Sequence, residues 1–127
     1  MKFLKYYIFT KNIDPFVIKE KLGYNYKVFY KSDKYDDQKC SFNCDRISFM
    51  MEANNQKEIN EFLSECLNEI LKHKNIIDEY RKYVDQLLEL TIYVEEKASI
   101  FAAQINKENL SMIASLNVNF LISFIDF

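Results

Sequence analysis

One proline and one glycine punctuate this chain, Pro15 and Gly23. Proline at the first helical position loses no hydrogen bond, and glycine just past the last turn tolerates a left-handed closing conformation. Asp14, before the proline, offers a carboxylate to the free N–H groups of a first turn. Together they predict one short helix over Pro15–Leu22, with Val17, Ile18 and Leu22 facing inward. The same scarcity excludes functions. With a single glycine, neither the GxGxxG dinucleotide fingerprint nor the GxxxxGKS/T phosphate loop can occur.

Hydrophobic periodicity fills in the other elements. Phe3–Thr10 (FLKYYIFT) is rich in aromatic and β-branched residues and short enough for a strand. Lys27–Lys31 (KVFYK) is a strand candidate, and Lys31–Asp45 reads as an exposed loop of mixed charge. Ile47–Glu52 alternates Ile47, Phe49 and Met51 against Ser48, Met50 and Glu52, which predicts a strand. From Lys57 to about Tyr83, Ile59, Phe62, Leu63, Cys66, Leu67, Ile70 and Leu71 recur at steps of three and four. The stripe resumes at Ile76, Ile77 and Tyr80, predicting one long amphipathic helix. Asn55 with Glu58 resembles its capping box.

Leu88–Glu95 sets Leu88, Leu90, Ile92 and Val94 against Glu89, Thr91, Tyr93 and Glu95, a strand packed on one side. Asn106 caps a short helix through Ser115, with Leu110, Ile113 and Ala114 inward. Phe120–Phe127 (FLISFIDF) is apolar on both faces, as suits a central strand.

The chain has 127 residues, the size of one domain, here residues 1–127. The order strand, helix, strand, strand, helix, strand, helix, strand, with adjacent strands lacking a crossover, predicts an α+β fold. Its sheet should be antiparallel or mixed, with the long helix laid across one face. Seventeen basic against nineteen acidic residues leave a net charge of −2, not the basic footprint of a dedicated nucleic-acid binder. No run approaches the ~20 apolar residues that span a bilayer. Nor does the N-terminus carry the apolar core of a signal peptide. Three cysteines are odd in number and too few for a disulfide scaffold, so a reduced, cytoplasmic setting is expected.

Little in the residues points to catalysis. Cys40 and Cys44 have the spacing of half a zinc site. The other soft ligands, Cys66 and His73, stand roughly 10 Å apart along one helix at about 1.5 Å per residue. That is too far to share an ion easily or to form a nucleophile pair. Cys66 reads as a small core residue, and His73, the only histidine, as a partly buried side chain near the helix end. The adjacent carboxylates Asp36–Asp37 and Glu95–Glu96 read as solvated charge. No catalytic, cofactor-binding or metal-ligating residue is assigned.

Two features point to protein binding instead. Tyr24, Tyr26, Tyr30 and Tyr35 crowd one stretch beside Asp33, Asp36 and Asp37. Tyrosine is enriched at interface hot spots because it buries area at low entropic cost and keeps a hydroxyl. Within the apparently exposed part of this stretch, Asp33, Tyr35, Asp36 and Asp37 are the expected partner-binding residues. The second feature is the outward row Glu89, Thr91, Tyr93 and Glu95, an open sheet face.

The whole layout resembles a family of small bacterial α+β domains, domain-of-unknown-function family 4279. The resemblance rests on the N-terminal strand, the Asp14–Pro15 helix start, the Leu22–Gly23 stop, the long amphipathic helix, LELTIYV and the closing INKENLSMIASLNVNFLISFIDF. Leu110, Ser111, Ile113, Leu116, Ile122 and Asp126 fit the family's final helix and strand. Members often carry a tryptophan in the middle strand; here Ile47 or Phe49 stands in that region. Some domains of this kind resemble immunity proteins encoded beside bacterial toxins. The resemblance implies a non-enzymatic cytoplasmic binding protein, an immunity-type inhibitor with a protein partner and neither nucleic acid nor membrane. The alternative is a homodimeric structural or regulatory domain self-associating through its open sheet face.

Overall fold

Alternation along the first strand puts Leu4, Tyr6 and Ile8 on one face, and all three are wholly buried. A computed structural model describes residues 1–31, 44–54, 56–94 and 104–126. The elements are β1 (Lys2–Thr10), α1 (Pro15–Leu22), β2 (Lys27–Phe29), β3 (Arg46–Ala53), α2 (Ile59–Leu71), α3 (Lys74–Glu79), a 3₁₀ turn (Arg81–Tyr83), β4 (Val84–Val94), α4 (Lys107–Leu116) and β5 (Asn119–Asp126). The five strands form one sheet in the order β2-β3-β1-β4-β5. β1 lies antiparallel to β3 and β4, β2 lies antiparallel to β3, and β5 runs parallel to β4. The sheet is therefore mixed, as the α+β reading expects.

One core holds the fold together. Ile47 and Phe49 of β3 and Leu88, Leu90, Ile92 and Val94 of β4 share the buried face of β1. Against them pack Ile18 and Leu22 of α1, the Phe62–Ile70 stripe of α2, Ile77 of α3, and Ile113 and Leu116 of α4. All four described helices thus cover one face of the sheet, a two-layer arrangement.

The caps work as their chemistry predicts. Asp14 Oδ1 accepts from the Phe16 N–H at 3.0 Å, and the Gly23 N–H donates to the Lys19 carbonyl at 3.0 Å. Gly23 has φ 104° and ψ −176°, a backbone region essentially reserved for glycine. Asn106 accepts from the Asn109 N–H at 2.9 Å, and Asn117 closes α4 in the left-handed region at φ 55°.

Several expectations need correction. The long helix breaks: α2 ends at Leu71, α3 starts at Lys74, and His73 between them leaves helical geometry at φ −109° and ψ 9°. The His73 N–H turns to the Ile70 carbonyl at 3.0 Å, a tighter i→i−3 closure. Ile70 and Ile77 remain in the core on both sides of the break, so the apolar stripe survives while the hydrogen-bond ladder does not. At the other end of α2, Glu58 is the cap, its carboxylate accepting from the Glu61 N–H at 2.9 Å, whereas Asn55 lies outside the described residues.

The remaining corrections concern faces and order. β5 is an edge strand, because β1 takes the centre with neighbours on both sides. On α1, Val17 is exposed, and Pro15 joins Ile18 and Leu22 on the buried side at steps of three and four. On α4, Leu110 and Ala114 face solvent while Asn109, Ile113 and Leu116 are buried. β2 is also shorter than expected, ending at Phe29.

Candidate protein-binding surface

The face of the sheet away from the helices follows from strand parity. Residues one step out of phase with Leu4, Tyr6 and Ile8 must point the other way. Register then sets Phe3 beside Glu52 and Thr91, Lys5 beside Met50 and Glu89, and Tyr7 beside Ser48 and Leu87. β5 extends this face with Leu121 next to Glu89 and Ile125 next to Tyr93.

Aromatic pairs stiffen it. Phe3 meets Tyr93 edge-on with ring centroids 5.6 Å apart, and Tyr7 stacks on Phe9 at 5.9 Å. The guanidinium of Arg46, a buried side chain, lies 5.1 Å from the centroid of the Phe29 ring. Large apolar side chains stand open among these groups: Met50 is 54% exposed, Leu121 47% and Ile125 40%. β2 covers β3 only as far as Ser48. A groove of about 230 Å³ lies along the rest, lined by Asn25, Phe49, Met50, Met51 and Glu69.

The sequence-derived candidates fare unevenly. Asp33, Tyr35, Asp36 and Asp37 lie outside the described residues, as does Cys40. At the base of that segment, the Lys31 N–H donates to Asp45 Oδ1 at 2.9 Å and the Thr10 N–H to the Asp45 carbonyl at 3.1 Å. The other tyrosines of the cluster separate. Tyr24 is exposed, whereas Tyr30 is half-buried and donates from its hydroxyl to Asp14 Oδ1 at 2.9 Å. Tyr26 is a core residue, stacked on Phe49 at 5.1 Å and edge-on to His73 at 5.5 Å.

In the outward row of β4, Thr91 is buried and Glu89 and Tyr93 are half-buried; Glu95 lies outside the described residues. The Thr91 hydroxyl donates to Glu89 Oε1 at 3.1 Å, so these two side chains satisfy each other. Sequence reasoning missed Met50, Leu121 and Ile125 as surface groups. Their parity was legible, but the position of β5 at the edge was not.

The described cysteines belong to the fold. Cys66 is wholly buried, and burial pushes its thiol up to about 12. Cys44 is half-buried and raised for the same first reason. Among the described residues, no group of three or more His, Cys, Asp and Glu side chains is placed to hold a metal ion.

A polar cleft of about 150 Å³ includes Asp78, Arg81, Gln86 and Asn117 in its lining. Its charges are paired. Asp78 accepts from Lys74 Nζ at 2.6 Å and Arg81 Nη2 at 3.4 Å, and the Lys74 hydrogen bond chiefly holds its carboxyl below the ordinary value. Gln86 is occupied by the Tyr6 hydroxyl, which donates to its Oε1.

Among the described residues, no helix is long and apolar enough to cross a membrane. No family model matches the sequence, and no curated protein or solved structure matches it significantly.

Proposed function

We propose that this chain is a non-enzymatic cytoplasmic protein-binding domain, an immunity-type inhibitor that occludes a bacterial toxin. The observation carrying the binding reading is the one-sided sheet. Four helices cover one face, while the other sets exposed Met50, Leu121 and Ile125 among Lys5, Glu52 and Glu89. In one cross-strand row Met50, Lys5, Glu89 and Leu121 stand side by side, so exposed apolar groups flank a charged pair, and protein interfaces combine apolar anchors with polar groups in this way. The immunity reading rests on the resemblance of the caps and of LELTIYV…FLISFID to small bacterial domains of that kind.

Tyr35, with Asp33, Asp36 and Asp37 close to it in sequence, supplies the second contact in this proposal: an aromatic anchor and an acidic rim. Many cytosol-acting toxins bind nucleic acid and are basic, so acidic rim charge accelerates encounter, whereas an anchor slows dissociation. Binding kinetics against the product of the neighbouring gene test the reading. Asp36→Asn with Asp37→Asn should lower the association rate and flatten its salt dependence. Tyr35→Ala should raise the dissociation rate by the equivalent of roughly 2 kcal/mol. Met50→Lys should weaken binding about tenfold, or ~1.4 kcal/mol. Wild-type kinetics in all of these variants would sink the proposal.

A further inference from the structure

We infer that a second copy of this chain pairs with β5 edge to edge and antiparallel, about a two-fold axis through Ile122, making one continuous ten-stranded sheet. The opposite edge is β2, only three residues long with exposed Lys27. β5 is eight residues long, and among the described residues no backbone group bonds to its outer edge. From Asn119 to Ile125 it has no charge, proline or glycine, the usual guards of an edge strand, and its one charged residue, Asp126, stands at the last position. Phe124 is 48% exposed on the helix side of the strand and Leu121 47% exposed on the other. A strand apolar on both faces has the composition of a central strand. In one chain it lies at the edge; in the pair it becomes central.

The register is self-complementary. A two-fold axis perpendicular to the sheet keeps both helix layers on the same side, so residues of equal parity must face each other. An axis through Ile122 sets Ile122 against its own copy and Phe120 against Phe124 on the helix side. On the other side it sets Leu121 against Ser123. No like charges meet. α4, which precedes β5 in the chain, is packed on α2 and leaves Leu110 exposed.

The contact is about 27 Å long at ~3.4 Å per residue and about 20 Å tall through strand and helix layers. That gives roughly 500 Å² per copy, ~1,000 Å² in all, which reaches the lower bound for a specific interface. This pairing covers Leu121 and Ser123 at the edge of the outer face, leaves Met50 on β3 free and does not depend on a toxin partner.

Sedimentation equilibrium of the purified chain tests it, with circular dichroism confirming the fold of each variant. The wild type should be a dimer that dissociates on dilution. Leu121→Lys with Ser123→Lys sets lysine against lysine across the axis and should give a monomer. Leu121→Lys with Ser123→Glu sets opposite charges together and should restore the dimer. Met50→Lys, on the outer face, should leave it intact. Hydrogen exchange of wild-type amides 119–125 should show protection that is lost on dilution. A wild type monomeric at high micromolar concentration overturns the proposal. So does a lysine pair that stays dimeric, a lysine–glutamate pair that stays monomeric, or protection indifferent to dilution.

Discussion

The Ser64 hydroxyl of α2 donates to Asn109 Oδ1 of α4 at 2.8 Å, and Asn109 is completely buried. Its amide also donates to the Asn60 carbonyl at 3.0 Å and to Asn60 Oδ1 at 3.2 Å. A buried amide satisfied on both ends is stable where an unmatched one would not be. It fixes how α4 rotates against α2. That is why Asn109 faces inward while Leu110 faces out.

Asn109→Leu keeps the volume but strands the Ser64 hydroxyl and the Asn60 carbonyl. It should lower stability by about 2 kcal/mol in urea unfolding, and adding Ser64→Ala should recover part of the loss. A change below about 0.5 kcal/mol would show that the network is not holding the helix pair.

Gly23 tests the backbone alone. A Cβ there would meet nothing within 4 Å, so any cost of Gly23→Ala arises from φ 104° and not from a clash. The expected loss is about 1–3 kcal/mol, and Gly23→Val should lose at least as much. Thermal unfolding at the wild-type temperature would contradict the cap assignment.

Stability should fall in alkali. Burial raises the Tyr6 hydroxyl, the Tyr26 hydroxyl and the Cys66 thiol above their ordinary values in the folded chain. The unfolded chain, with the ordinary values of 9.0 for cysteine and 10.0 for tyrosine, loses those protons first. The contribution is therefore complete below pH 9 and is lost as pH rises from there toward the folded values. Each group costs up to about 1.4 kcal/mol per pH unit in that window. Urea midpoints at increasing pH should show a steepening decline, and Tyr6→Phe should make it shallower. A flat profile from neutral pH to pH 11 would refute this.

Thiol reactivity follows from the same burial. In a Cys40→Ser variant, Cys44 should react with a disulfide reagent before Cys66, because only the thiolate attacks and only an accessible one is reached. Cys66 should label at the rate of global opening, so its rate should rise with destabilising variants such as Asn109→Leu. Equal rates for the two thiols would place Cys66 outside the core.

Much of the architecture was written in local residues. The Asp14, Pro15 and Gly23 caps, the Asn106 cap, the alternation of Leu88, Leu90, Ile92 and Val94, and the burial of Cys66 all depend on neighbours a few positions away. The candidate surface was legible only in its parity: Met50, Leu121 and Ile125 had to oppose the core residues. That none of the described helices covers them depends on strand order.

The sequence by itself determined the strand and helix types, their caps and the inward face of each strand, because periodicity and capping act over one or two turns. Tertiary structure alone decided that β1 is central and β5 is at the edge, since period-two alternation carries no information about which strand sits beside which. It also decided the break at His73, where the apolar stripe continues through a ladder that does not. Asn109 shows the same limit most directly: its partners lie 45 and 49 residues away, and only their arrival makes an asparagine a core residue.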